Sequence, residues 1–287
     1  MTQKKFAAAA LLCIPILVGA ALMYGGGASA ARYGLHLGTG SLGFFLYLAL
    51  VSIPIGLAPK HRAIAAILGL AILASTLIDP GIEGVHRWLA FGALRLHPSA
   101  ILGPALLVFA AREILEGRPH LGHLVLAAVQ TVHVLQPDAG QATAFGAGAI
   151  FLTLAGHRRP LSLGLALFHA GSIAAAWLRS DPLLPAPFVE DIVGRSFQLA
   201  PAAGIVALLS LLPLVSAPWA AAYPSSLGIS AQTALILYFG GSLIAPIFGE
   251  FPVPLLGFGP SPILGVFLGI AMLQRGISSV KAETSRE

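Results

Sequence analysis

The stretch FAAAALLCIPILVGAALMY, Phe6 to Tyr24, carries no charged side chain from one end to the other. At about 1.5 Å of rise per residue, a helix of this length crosses the roughly 30 Å hydrocarbon core of a bilayer. Lys4 and Lys5 precede it, and GGGASA, Gly25 to Ala30, follows it. A secretory signal has the same arrangement, but its apolar core needs only ~7–15 residues. The longer run here is read as an uncleaved membrane anchor.

The rest of the chain has the same character. Of 287 residues, 57% are hydrophobic and only 9% are charged, where a soluble domain carries about 25% charged residues. Lipid is therefore the main solvent. The sequence pI is near 9.7, yet the basic residues are scattered through short loops rather than gathered into a patch. That is the pattern of membrane topology and not of a nucleic-acid partner. Cys13, the single cysteine, can form neither an internal disulfide nor a metal cluster.

Apolar runs separated by charge, Pro or Gly give about ten spans, at 6–24, 41–58, 63–78, 99–111, 121–135, 141–155, 161–178, 199–215, 227–247 and 262–274. The expected fold is all-α: one polytopic helical bundle over residues 1–287, with both termini cytoplasmic. In that orientation Lys4, Lys5, Lys60, Arg62, Arg112, Arg118, Arg158, Arg159, Arg275, Lys281 and Arg286 fall inside. Arg32, Arg87, Arg95, Arg179 and Arg195 fall outside. Eleven of the sixteen cations are then inside, as the positive-inside rule requires. The inner loops are short, such as PKHR, whereas the outer ones are longer, rich in Pro and Gly, and mixed in charge. Irregular backbone near membrane depth is tolerated only against protein or a water-filled cavity, so the outer face is expected to carry the function. No phosphate-cradling Gly-rich loop, metal-ligand cluster or other cofactor motif is readable.

Three outer segments carry a resemblance. GVHRWLAFGALRLHPSA (Gly84–Ala100) is similar to the loop of the SEDS family, the FtsW/RodA/SpoVE proteins, which reads G-x-x-R-W-I and then Q-P-S-E. LQPDAGQATA (Leu135–Ala144) resembles that family's Q-P-D-x-G-T. FPVPLLGFGPSPILGVFLGIAML (Phe251–Leu273) resembles P-L-P-F-x-S-Y-G-G-S-S and the span after it. Their order and placement among the spans also agree. The departures are specific: His97 and Ala100 replace the Gln and Glu of Q-P-S-E, Phe258 replaces the Tyr, and Gly259-Pro260-Ser261-Pro262 stands for G-G-S-S. The large family loop between spans seven and eight is reduced to RSDPLLPAPFVEDIVGRSFQ, Arg179 to Gln198.

The resemblance implies a peptidoglycan glycosyltransferase that polymerises lipid II, a polyprenyl-diphosphate precursor, at the outer face of the bacterial cytoplasmic membrane. It implies a role in cell shape, elongation or division, and a class B penicillin-binding protein as partner. Asp191 matches the family's catalytic aspartate by position, with Glu190 beside it. Such a transfer needs a base for the acceptor hydroxyl and positive charge at the leaving diphosphate. Arg87, Arg95 and His97 are the candidate cations, since a guanidinium matches phosphate geometry. Gln136, Asp138, Pro254 and Ser261 belong to the same motifs and are expected to shape the substrate site. A divalent cation at the diphosphate is compatible with this chemistry.

Each residue also has a plainer reading. Arg87 and Arg95 would anchor an interfacial segment whose Trp88 and Phe91 dip into lipid. Asp138 would cap a helix, and Asp191 would be a hydrated loop acid. His133 and His169, inside apolar runs, read as hydrogen-bonded packing residues. Two other functions stay open: a non-catalytic relative that binds a polyprenyl-linked precursor or scaffolds a cell-wall complex, and a lipid flippase or transporter.

Overall fold

The structure, a computed structural model, describes residues 3–53, 58–92, 94–156, 160–221 and 226–284. The chain is a helical bundle. Its helices are α1 (Gln3–Gly25), α2 (Ala30–Ser52), α3 (Pro59–Ser75), α4 (Pro98–Leu115), α5 (Pro119–Leu135) and α6 (Ala139–Gly156). They continue with α7 (Pro160–Trp177), α8 (Ile192–Leu199), α9 (Pro201–Ser210), α10 (Leu212–Ala221), α11 (Ser226–Phe248) and α12 (Pro260–Thr284). Among the described residues seven helical segments are long and apolar enough to cross a membrane, with α9 and α10 counted as one. The other three expected spans coincide with α5, α6 and α12. Arg158, Arg159 and Arg286, assigned to the inner side, lie outside the described residues.

Three features differ from the sequence expectation. The second span begins at Ala30 and ends at Ser52, rather than running over 41–58. Arg32 and His36 lower local hydropathy, but a helix is closed by its backbone and accepts both side chains. Arg32 thus belongs to the first turn of α2, not to a loop. Second, the span expected at 199–215 is two short helices meeting at Leu211. The separate helix α8 precedes them in a segment read as loop. Third, a small hairpin interrupts the all-α plan. β1 (Leu89–Phe91) pairs antiparallel with β2 (Leu94–Leu96), and Gly92 between them takes φ +62°, which hairpin turns favour.

Small residues bring the central helices close, as lipid-embedded packing requires. A Cβ on Gly265 of α12 would collide with the carbonyl oxygen of Ala100 on α4, and one on Gly269 would lie 2.5 Å from Pro104 Cβ. On the α6–α11 side, a Cβ on Gly241 would lie 2.8 Å from Ala144 Cα. Leu107, Phe145, Phe239 and Phe267 are fully buried around these crossings. Helix α1 belongs to this body: Ala8, Ala9, Leu12 and Met23 are shielded completely.

An ion network ties α3 to the α4–α5 turn. Arg62 Nε lies 3.2 Å from Glu113 Oε1, and its Nη2 lies 2.5 Å from Glu116 Oε2. Arg118 reaches Glu113 at 2.7 Å, and Arg112 reaches Glu116 at 2.5 Å. Glu113 is fully buried, so these charges compensate one another where water cannot.

Candidate functional site

The segment between α3 and α4 is shaped by Asp79. Its carboxylate accepts the Gly81 N–H at 3.1 Å and the Ala90 N–H at 3.4 Å. Gly81 and Gly84 take φ of +69° and +84°, turning the chain so that Arg87 enters the protein rather than the lipid. Its side chain is only 5% exposed.

Arg87 is surrounded by acceptors and aromatic faces. Nη2 donates to Asp181 Oδ2 at 2.5 Å and also to the Pro137 carbonyl. Nε lies 4.0 Å from Asp138 Oδ1 and, among the described residues, has no hydrogen-bond acceptor although it is buried. The guanidinium carbon stands 5.9 Å from the Trp88 ring centre and 5.5 Å from that of Phe251. Both faces attract a cation through the ring quadrupole.

Asp138 links this arginine to α4 and α6. Oδ1 accepts the Gln141 N–H at 3.0 Å, which caps the first turn of α6. Oδ2 lies 2.7 Å from His97 Nε2. Burial would raise this carboxyl, but the charges of His97 and Arg87 outweigh it and hold the group well below the usual carboxylate range. The His97 backbone N–H in turn donates to Ser261 Oγ at 2.8 Å, fixing α4 against the start of α12.

These residues border a cavity of about 350 Å³. Arg87, Trp88, His97, Asp138, Pro254 and Glu190 line it, together with Gly140, Gln141, Tyr238, Glu250 and Phe251. Leu183, Leu184 and Ala186 contribute from the segment between α7 and α8. Most of the wall is apolar, with the charged groups of Arg87, His97, Asp138, Glu190 and Glu250 set into it. Such a pocket suits a ligand with an anionic head and a hydrocarbon tail.

The sequence candidates therefore separate. Arg87, His97, Asp138, Pro254 and Glu190 meet at one cavity. Ser261 supports it through His97. Gln136 is buried behind it, accepting Ser99 Oγ–H at 3.0 Å and donating to Thr76 Oγ1 at 2.6 Å. Arg95 is exposed on β2, opposite Ala90, and is not on the cavity wall.

The two adjacent acids point apart. Glu190 lines the cavity, and its Oε2 accepts the Ala186 N–H at 2.7 Å. Burial raises its carboxyl. Asp191 does not line the cavity. Its Oδ1 accepts the Phe188 N–H at 2.7 Å, and its Oδ2 takes Arg195 Nε. The bend that separates them is anchored by the Phe258 N–H to Phe188 carbonyl bond at 2.7 Å and by Arg32, which donates to the Pro187 carbonyl at 3.2 Å.

Sequence reading overlooked Asp181, Gln141, Tyr238 and Glu250. Gln141 had a usable signal, since it lies three residues after Asp138 and one turn into α6. Its Oε1 accepts the Tyr238 hydroxyl at 2.7 Å. Asp181 had none, being one polar residue among prolines. Among the described residues no three His, Cys, Asp or Glu side chains come together as a metal site.

Comparison with solved structures gives the same fold. The rod-shape-determining protein RodA of Thermus thermophilus aligns with a TM-score of 0.70 at 19% identity, over 94% of this chain and 95% of that one. A point mutant of the same protein aligns with a TM-score of 0.69 at 18% identity, over 94% and 96%. A chain of a peptidoglycan synthase complex aligns with a TM-score of 0.62 at 20% identity, over 93% and 97%. No curated protein sequence shows significant similarity to the chain. The model of the FtsW/RodA/SpoVE family, described as cell cycle protein, matches residues 13–196. That match covers well over half of the sequence, so the chain belongs to the FtsW/RodA/SpoVE family of multi-pass membrane proteins.

Proposed function

We propose that this protein is a peptidoglycan glycosyltransferase that polymerises lipid II at the outer membrane face, working with a class B penicillin-binding protein. The observation that carries the reading is the buried Arg87 on the wall of a largely apolar cavity that also presents Glu190. Lipid II combines a diphosphate with a long hydrocarbon tail, and this wall offers a counterpart for each. In the transfer, the acceptor hydroxyl attacks the anomeric carbon and the bond to the diphosphate breaks. Arg87 stabilises the charge that develops on the leaving group. Glu190 takes the acceptor proton, a task its raised carboxyl favours. Asp191 instead fixes the bend that presents Glu190. The partner is supported by the similarity to a chain from a peptidoglycan synthase complex.

The test is glycan synthesis from purified lipid II by the full chain with its partner. Glu190→Gln is expected to lower kcat by about 10²–10⁴, the usual worth of a general base. Asp191→Asn is expected to lower it less. If Asp191→Asn abolishes synthesis while Glu190→Gln does not, the base is misassigned.

One observation favours a second reading, a non-catalytic binder of polyprenyl-linked precursors. The positional match to the family aspartate, Asp191, is occupied by Arg195 and the Phe188 amide. Lipid II binding with no glycan product under any partner condition would establish that reading instead.

A further inference from the structure

The cation that the proposed reaction needs is already occupied. Arg87 Nη2 is held by Asp181 Oδ2 at 2.5 Å. Counting Arg87, His97, Asp138 and Asp181 as charged, the cluster is balanced, so it holds no positive charge to spare. A diphosphate approaching it meets no net attraction, and Glu250 on the same wall adds repulsion. Bound as it stands, Arg87 cannot also give Nη2 to a phosphate oxygen.

The two carboxylates on Arg87 are not equivalent. Asp138 is buried, caps α6 and is fastened to His97. Asp181 keeps 26% of its side-chain surface and lies in a segment, 180–187, that has neither helix nor strand. Residues 184–187 are exposed, although Leu183, Leu184 and Ala186 also border the cavity. Asp181 Oδ1 additionally accepts the Leu183 N–H at 3.3 Å. Beyond Arg87 and this local turn, Asp181 has no other hydrogen bond among the described residues, whereas Asp138 is anchored on three sides. Arg87 Nε is buried without an acceptor among the described residues and faces Asp138 Oδ1 at 4.0 Å, so Asp138 holds the arginine only loosely.

We propose that Asp181 is a displaceable counter-ion that sets the ligand specificity of Arg87, an inference that rests on the diphosphate reading above. Its carboxylate stands where a phosphate oxygen would bind and latches the 180–187 segment across the cavity edge. A ligand must replace one carboxylate and exceed its charge to settle on Arg87. A lipid diphosphate does so. A lipid monophosphate competes on nearly equal terms, and the neutral alcohol does not compete at all. The latch therefore screens the abundant lipids around the protein without requiring extra contacts to the preferred one.

The experiment uses the full chain in nanodiscs with a long-chain polyprenyl diphosphate, the matching monophosphate and the alcohol, read by native mass spectrometry. The wild type is expected to prefer diphosphate over monophosphate. Asp181→Asn should bind the monophosphate about tenfold more tightly than wild type does, so that the preference shrinks. Equal or weaker monophosphate binding by Asp181→Asn overturns the counter-ion role. Hydrogen exchange on the wild type supplies a readout free of mutation. Diphosphate should speed exchange at the Leu183 amide, and slower or unchanged exchange also counts against displacement. Arg87→Gln separates the two levels of argument. If it binds diphosphate as well as wild type, or if wild type binds none, the diphosphate reading itself fails and the latch with it.

Discussion

His97 Nε2 lies 2.7 Å from Asp138 Oδ2, joining the residue before α4 to the residue before α6. Neither contact partner can be replaced by water, because Asp138 is almost wholly buried. The pair closes one wall of the cavity, and Arg87 leans on the same carboxylate.

Asp138→Asn is expected to destabilise the protein by about 3–5 kcal/mol at neutral pH, because it leaves His97 without its buried counter-charge and removes one of the two carboxylates around Arg87. The pH dependence follows from the depressed carboxyl. Its folded value lies below the unfolded one of about 4, so the stabilisation is complete above that pH and fades as acid titrates the folded group. Thermal unfolding in detergent should show the gap between wild type and Asp138→Asn narrowing from pH 7 towards pH 3. A gap that widens in acid contradicts this assignment.

Glu190 has the opposite sign. Burial raises its carboxyl in the folded state, so the ionised form is disfavoured there and a cost appears as pH rises through the folded value. Glu190→Gln should therefore unfold at a higher temperature than wild type at pH 7 and at the same temperature near pH 4. Lower stability of the variant at pH 7 would show that the bond from the Ala186 amide outweighs burial.

Gly265→Ala tests the α4–α12 crossing. The new methyl meets the Ala100 carbonyl oxygen, a backbone atom that cannot rotate away. Overpacking of this kind costs about 1–3 kcal/mol. Because His97 and Ser261 sit at the adjoining ends of these helices, precursor binding should weaken along with stability. Gly164→Ala, where a Cβ meets nothing within 4 Å, is the matched control and should be silent in both assays.

Arg62→Met removes the central cation of the network around Glu113. A buried carboxylate stripped of one partner is expected to cost about 3–5 kcal/mol. Arg118, 2.7 Å from the other oxygen of Glu113, compensates in part, so Arg62→Met combined with Arg118→Met should exceed the sum of the single changes. Additive losses measured in a double-mutant cycle would mean that the two arginines act independently.

The helical, membrane-embedded architecture is legible in the sequence because burying a backbone in lipid demands long apolar helices, whatever their partners. The three outer motifs also identify Arg87, His97, Asp138 and Pro254 as candidates, since a local pattern marks each. Sequence cannot tell that Glu190, not its neighbour Asp191, faces the cavity. That choice is made by the Phe188 and Arg195 contacts that hold Asp191. Arg95 and Arg87 share one loop, with only Arg87 at the R-W position of the motif, and what the sequence does not show is that one is left in the open on a hairpin while the turns around Asp79 carry the other inside. Asp181 is found only in three dimensions, because its partner lies 94 residues away in the chain. Hydropathy is a property of each segment and survives in one dimension. The pairing of charges depends on distance in space, and only the folded bundle sets it.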